Sequence, residues 1–142
     1  MPNLCDVNVL LALCYAKHVH HTKAIKWLDG IEKPADIVIC RITQLGLLRL
    51  LSNPSVMRED VHSLKQCWNV FDEIMSDERF FFWNEPTHLE SIFRKMTESL
   101  SFSHKIMQDA YLAAFAKTSR LNVITFDRDF KKFDGIHVQL LS

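Results

Sequence analysis

The feature that most constrains the fold is the alternation of short strand-forming runs with segments of helical periodicity. The strand-forming runs cover residues 4–5, 36–40, 79–83, 122–126 and 137–141. Between them, apolar residues recur at i, i+3, i+4 and i+7, as in Ala24, Trp27, Leu28 and Ile31, which indicates amphipathic helices. Strands that alternate with helices predict a parallel sheet covered by helices on both faces.

The helical segments that complete this pattern start near Val7 and continue over residues 24–31, 41–52, 61–75, 89–100 and 104–118. The predicted fold is therefore a three-layer α/β/α arrangement around a four- or five-stranded parallel sheet. The run RFFFW at residues 79–83 is apolar and aromatic, which predicts a buried strand. A length of 142 residues fits a single domain, residues 1–142, with a sizeable core.

Charge and cysteine usage say little about a partner but something about the compartment. Lys+Arg and Asp+Glu are equal at 17 each, which neither indicates nor excludes nucleic acid. The four cysteines form no C-x-x-C pair, so they are expected to be free thiols of a cytoplasmic protein. The apolar run 9–16 is too short for a membrane span and lacks a basic leader, so neither a signal peptide nor membrane insertion is expected.

Polar residues follow the predicted strands at the edge where ligands bind in such sheets. Asp6 directly follows the first strand, and Asp127 and Asp129 follow the strand at 122–126. Thr43 and Gln44 come after the second strand. Right-handed crossovers place the carboxyl ends of all parallel strands on one edge, so these side chains are expected to lie together.

Asp109 is the most informative single acid. Helical spacing puts it on one face with Ile106, Ala113 and Ala116, where a carboxylate is costly unless a cation or donors compensate it. The alternative is an exposed acid favoured by the start of a helix. Asp6 could likewise be only a helix cap.

A metal site accounts for three acids converging on one edge. Asp127 taken alone could be a turn residue in TFDRDF. Together, however, Asp6, Asp109 and Asp127 would repel one another without a counter-ion. Hard carboxylate oxygens suit Mg²⁺ or Mn²⁺, so these three acids are the predicted ligands.

The cluster His18, His20 and His21 offers a different metal site, for a transition ion. No second Cys or His set with matching spacing accompanies it. The favoured interpretation is a polar loop that leads into the helix containing Trp27.

Four sequence blocks follow one another within residues 4–141, namely LCDVNVLLAL, CRITQLGLLRLLSNP, QDAYLAAFA and VITFDRDF. In this order they resemble PIN-domain proteins and, more narrowly, VapC-type toxins of toxin–antitoxin systems. The resemblance implies a metal-dependent ribonuclease that is silenced by a cognate antitoxin. It also implies a homodimer, since PIN-type toxins often form dimers.

The resemblance assigns roles to individual residues. Asp6 with Asn8 matches the family's D-x-N/S/T motif, Asp109 matches the acid that opens a late helix, and Thr125 with Asp127 matches its T-x-D block. Asp129, two residues further on, is expected to assist. Asn8 and Thr125 are expected to position waters or the aspartates.

One position departs from the family pattern. Gln44 stands where the family usually has a glutamate in the helix after the second strand. Its carbonyl oxygen can still orient a water, but one negative charge is lost. A binding-only PIN domain therefore remains an alternative to the nuclease.

Basic residues near the predicted rim are candidates for RNA phosphate contacts, namely Arg41, Arg128, Lys131 and Lys132. The alternative is a solvated surface loop. A phospho-receiver module is the alternative from a different class of function. Such a module needs an acidic pair after the first strand and a phosphoacceptor aspartate after the third. Here Asp6 stands alone after the first strand and Asn84 follows RFFFW, which argues against this function.

Overall fold

Five strands and seven α-helices alternate in the computed structural model, which describes residues 1–100 and 103–141. The strands are β1 (Asn3–Cys5), β2 (Ile37–Ile39), β3 (Phe80–Phe82), β4 (Asn122–Thr125) and β5 (His137–Leu140). The helices are α1 (Val7–Cys14), α2 (His21–Asp29), α3 (Arg41–Leu51), α4 (Pro54–Met57), α5 (Leu64–Met75), α6 (Leu89–Glu98) and α7 (Met107–Ser119).

All five strands form one parallel sheet in the order β3-β2-β1-β4-β5. β1 is central, with Leu4 paired to Val38 of β2 on one side and to Val123 of β4 on the other. The chain adds β2 and β3 on one side of β1 and then crosses to add β4 and β5 on the other. The switch in strand order therefore lies between β1 and β4, where open α/β sheets bind ligands.

Helices pack on both faces of the sheet, which confirms the predicted three-layer α/β/α fold. On one face, Leu4 and Val123 lie in a core with Phe115 of α7. On the other face, Cys5 lies in a second core with Leu47 of α3. Neighbouring residues of each strand face opposite cores, which explains why the central strands are apolar throughout.

Helices α1 and α3 approach closely at Gly46. A Cβ atom at this position would lie 2.7 Å from Cγ2 of Val7. Glycine therefore allows the start of α1, directly after β1, to pack against α3. This contact shapes one wall of the cavity described below.

Strand β3 corrects one prediction from the sequence. RFFFW was expected to be buried, but β3 is an edge strand and the side chain of Phe81 is 53% exposed. Aromatic composition alone could not reveal that no further strand pairs beyond β3 in the described sheet.

The helix boundaries near Pro54 also differ from the prediction. The helix predicted over residues 41–52 ends before Pro54, and Pro54 then opens the short helix α4, where proline needs no N–H donor. Asn53 caps α4 by accepting a hydrogen bond from the Ser55 amide at 2.9 Å. The next long helix starts at Leu64 rather than near Val61, behind a capping box of Ser63 and Gln66.

Within the described residues, no helix has both the length and the apolar character that a membrane crossing requires.

Candidate active site

Asp6 is held at the carboxyl end of β1 by two hydrogen bonds. One carboxylate oxygen accepts from the Val7 amide at 2.7 Å and thereby caps α1. The other accepts from the Thr125 hydroxyl at 2.7 Å. The side chain is buried, with 9% of its residue surface exposed. Asp6 is thus a helix cap, and each of its oxygens keeps a lone pair for a further ligand.

Thr125 connects Asp6 to Asp127 at the end of β4. Its hydroxyl donates to Asp6 and accepts from the Asp127 amide at 3.0 Å. The Asp127 carboxylate in turn accepts from the Asp129 amide at 2.9 Å, which is the turn role anticipated from TFDRDF. Asn8 adds a weaker link, since its side-chain oxygen lies 3.4 Å from the Phe126 amide.

Asp109 lies in the first turn of α7, half-buried, and faces the same space. No hydrogen bond reaches its carboxylate from the part of the chain that the structure describes. Burial first, and then the charges of Asp6 and Asp127, raise the pKa of Asp109 to about 6. Lys132 opposes this shift only in part. Asp109 therefore carries an electrostatic cost that an added cation would relieve.

One cavity of about 540 Å³ brings the three acids together from β1, α7 and β4. Its other walls come from α1, α3 and the turn before α2, with Asn8, Leu11, His18, Ile42, Arg49 and Gln108 among the lining residues. Within residues 1–100 and 103–141, no three side chains of His, Cys, Asp or Glu lie close enough to hold a metal ion as they stand. Uncompensated carboxylates repel one another, so the three acids are expected to stay apart without a cation.

The chemistry of the cavity nevertheless fits a hard divalent ion. Burial, and then the charge of Asp127, raise the pKa of Asp6 even though two donors hold its charged form. Among the described residues no positive group lowers the pKa of Asp6, and Lys132 compensates Asp109 only in part. Carboxylate oxygens are the ligands that Mg²⁺ and Mn²⁺ prefer, so the residues fit such an ion if the acids move closer together.

Comparison with known proteins places this arrangement in a family. The sequence model of the PIN-domain family matches residues 4–136 of this chain. The chain belongs to the PIN-domain family. Ribonuclease VapC41 of Mycobacterium tuberculosis is 38% identical to it over 143 residues, covering 98% of each chain. Ribonuclease VapC44 of the same organism is 33% identical over 130 residues, covering 90% of this chain and 87% of VapC44. The predicted resemblance to PIN-domain and VapC proteins is confirmed.

Solved structures share the fold at low sequence identity. A DNA-bound VapBC complex of Salmonella typhimurium aligns with a TM-score of 0.70 at 16% identity, covering 100% of this chain and 99% of that one. VapC20 of M. tuberculosis, a toxin that cleaves the sarcin–ricin loop, aligns with a TM-score of 0.69 at 18% identity, covering 96% and 98%. These likenesses support the α/β/α architecture of the PIN domain.

Gln44 of this PIN domain does not line the cavity that the three acids share. Its side chain is buried, and its amide oxygen accepts a hydrogen bond from Arg41 at 2.5 Å. The Arg41 guanidinium lies over the ring of Phe82, 4.7 Å from its centroid. The first turn of α3 therefore directs Gln44 and Arg41 towards β3. Thr43 is buried too and caps α3 through the amide of Cys40, 3.1 Å from its hydroxyl oxygen.

The basic residues predicted to contact RNA are placed unequally. Arg41 was expected at the rim of the pocket, but its bonds to Gln44 and Phe82 hold it away from the residues that line the cavity. Arg128 and Lys131 are exposed on the turn after β4. Lys132 lies near enough for its charge to act on Asp109.

Several cavity residues of the PIN domain were not identified from the sequence. Arg49 and Gln108 line the cavity from α3 and from the first turn of α7. Arg49 lies seven residues after Ile42, so helical spacing from the strand end could have indicated it. His18 was noticed only as part of a histidine cluster, and its place in the cavity depends on how the turn after α1 folds back.

Proposed function

We propose that this protein is a Mg²⁺- or Mn²⁺-dependent endoribonuclease with Asp6, Asp109 and Asp127 as its metal ligands. One observation carries the proposal: three carboxylates from separate elements line one cavity, and the pKa of Asp109 is raised to about 6. A structural role would not require three acids with so little compensation. The relatives of this PIN domain that carry the name ribonuclease support the same activity.

The residues of the cavity have distinct tasks in this proposal. Asp6 is fixed by Val7 and Thr125, so it offers an oriented oxygen to the metal. Asp109, without hydrogen bonds among the described residues, is the ligand that adjusts. When bound, the metal would supply an activated water and neutralise charge on the scissile phosphate. Thr125 and Asn8 hold Asp6 and the turn at Asp127 in place, as outer partners of metal ligands do. Asp129 assists through its amide.

RNA is expected to approach along positive side chains. Arg49 lines the acidic cavity itself. A second cavity, of about 430 Å³, is lined by Lys95, Lys117 and Lys132 with one acid, Asp134. Because the charge of Lys132 acts on Asp109, we propose that this lysine cavity holds the RNA backbone on its way to the site. The exposed Arg128 and Lys131 would add further contacts to the RNA phosphates. Arg41 could contact RNA only if its hydrogen bond to Gln44 were broken.

The proposal extends to a toxin–antitoxin pair. Solved neighbours with this fold include VapBC complexes bound to DNA, which supports a cognate antitoxin for this chain. We also propose a homodimer. The exposed apolar side chains of the described surface include Leu45 of α3 and Leu64 and Trp68 of α5, which we propose that such partners cover. The four free cysteines support a cytoplasmic location, and the single domain is proposed to span residues 1–142.

The test is cleavage of a structured RNA pool by the purified protein with Mg²⁺, with Mn²⁺ and with EDTA. Asp6→Ala and the matched exposed control Asp72→Asn on α5 are prepared identically. Cleavage that needs metal, disappears in Asp6→Ala and persists in Asp72→Asn is expected. Cleavage that continues in EDTA or in Asp6→Ala would overturn the proposal.

A binding-only PIN domain is the second candidate, and the engagement of Gln44 by Arg41 favours it. Gln44, which stands where the family usually has a glutamate, has no charge and does not line the cavity. The two candidates differ in one result, because a binding-only domain would retain RNA in a filter assay and leave it intact with either metal. The phospho-receiver alternative loses its basis, since the chain belongs to the PIN-domain family.

A further inference from the structure

We infer that His18 donates a hydrogen bond from Nε2 to a phosphate oxygen of the RNA held in the cavity. The inference rests on the proposed ribonuclease function and adds a residue to it. His18 lies in the turn between α1 and α2 and lines the same cavity as Asp6, Asp109 and Asp127.

A backbone hydrogen bond fixes the tautomer of His18. The His20 amide donates to Nδ1 of His18 at 3.0 Å. An amide N–H can only donate, so Nδ1 must be the unprotonated acceptor and the proton of the neutral ring sits on Nε2. Burial, and then the nearby His20 and His21, lower the pKa of His18, which favours this neutral form.

The neighbouring histidines anchor the turn and leave His18 its own role. Nδ1 of His21 is 2.7 Å from the carbonyl oxygen of Ala12, to which it donates. The ring of His20 stacks on Phe126 at a centroid distance of 4.5 Å and an interplanar angle of 19°. The turn is thus tied to α1 and to the end of β4. A protonated Nε2 on His18 is a donor and not a metal ligand, which agrees with the polar-loop interpretation of H-x-H-H.

The charge of the cavity indicates what His18 would meet. Asp6, Asp109 and Asp127 supply only acceptors when ionised, and a phosphodiester likewise presents only acceptors at its non-bridging oxygens. RNA near these acids therefore needs donors from the remaining walls, where Arg49 and His18 stand. A neutral N–H donor can contact phosphate without competing with the cation that the acids require.

Two substitutions separate this role from a structural one. His18→Asn keeps an oxygen that can accept from the His20 amide two residues on, but it removes the donor at the Nε2 position. His18→Gln places an amide near the Nε2 position and gives up the short-range acceptor. Binding of fluorescent RNAs of several sequences is measured by anisotropy in an Asp109→Asn background, and cleavage is measured with Asp109 intact. His62→Asn, outside the cavity, is the matched control.

We expect His18→Asn to weaken RNA binding about tenfold, equally for every sequence, while His18→Gln retains most of it. The opposite order, with Asn retaining binding and Gln losing it, would show that His18 only anchors the turn. An effect confined to particular sequences would indicate a base contact and overturn the phosphate assignment. If Asp109→Asn binds no RNA and the parent cuts none, the proposed function itself fails. Normal binding and cleavage by His18→Asn would overturn only this inference.

Discussion

The two ends of strands β1 and β4 treat buried polar groups in opposite ways. At the amino end, the side-chain amide of Asn122 donates to the side-chain oxygen of Asn3 at 3.1 Å. The side-chain amide of Asn3 in turn donates to the backbone carbonyl of Asp36 at 3.1 Å. These neutral groups satisfy one another. At the carboxyl end, Asp6 and Asp127 are linked through Thr125, and Asp109 adds a third acid.

The two ends of the sheet therefore serve different purposes, stability at the amino end and activity at the carboxyl end. Hydrogen-bonded amides contribute to stability and need no further ligand. Carboxylates that repel one another destabilise the protein as it stands and are retained where a ligand compensates them. Substitutions at the carboxyl end should therefore change activity, and substitutions at the amino end should change stability.

The largest expected effect is the loss of cleavage in Asp6→Asn and in Asp109→Asn. Outer partners of metal ligands already cost about ten- to a hundredfold, so removing a ligand should lower the cleavage rate by at least about a hundredfold. Circular dichroism should show both variants folded. If either variant is folded and cleaves RNA at the parent's rate, that aspartate is not a metal ligand.

Thr125→Val should have the next largest effect. It removes the hydroxyl that donates to Asp6 and accepts from the Asp127 amide, while it preserves the shape of the buried side chain. We expect the cleavage rate to fall about ten- to a hundredfold. Thr118→Val is the control, because among the described residues the Thr118 hydroxyl donates within α7, to the carbonyl of Ala114. Equal rates for the two variants would contradict a role for Thr125.

At the amino end, Asn122→Ala should lower the free energy of unfolding by about 1–2 kcal/mol, since it leaves the buried oxygen of Asn3 without its donor. The cleavage rate per folded molecule should stay within twofold of the parent, roughly the scatter expected for a distant change. Urea denaturation and kinetics on the same preparation check both. A large loss of rate without loss of stability would reverse the assignment of the two ends.

The smallest effect concerns stability at the carboxyl end, without metal. The pKa of Asp109 is raised in the folded protein to about 6 from 3.8, so its favourable contribution is complete below 3.8 and lost as pH rises through about 6. Asp109→Asn should therefore be more stable than the parent at pH 7.5 in EDTA. We expect about 1 kcal/mol, a value reduced because the group is half-exposed to solvent.

Urea denaturation at several pH values tests this sign. The advantage of Asp109→Asn should shrink towards pH 4, where the parent's carboxyl is protonated. It should also shrink at pH 7.5 when Mg²⁺ is added, because the cation compensates the parent only. A variant less stable than the parent at pH 7.5 in EDTA would mean that Asp109 is not under electrostatic strain.

The sequence predicted the fold well because its signals are local. Helical periodicity and apolar runs placed all five strands within one or two residues, and the end of β1 placed Asp6. Strand order is not local, which is why β3 was expected to be buried although Phe81 is exposed at the edge. Pro54 shows a second limit, since proline both ends one helix and starts another.

The site was predicted in part, for a related reason. The acids were found because strand ends converge by topology, whatever the side chains do. The walls of the cavity were not found, because His18 depends on a folded turn and Arg49 depends on the close approach of α1 and α3 at Gly46. Gln44 was placed beside the acids by sequence pattern, but its bond to Arg41 directs it elsewhere.

The most direct test of the central claim is the titration of the Asp109 carboxyl carbon by NMR, with and without Mg²⁺. Asp109→Asn assigns the signal by its disappearance. We expect a pKa of about 6 without divalent ions, because burial and the charges of Asp6 and Asp127 oppose ionisation. In saturating Mg²⁺ the pKa should fall below its ordinary value. A pKa that is the same in both solutions would show that Asp109 does not share a cation with the other acids.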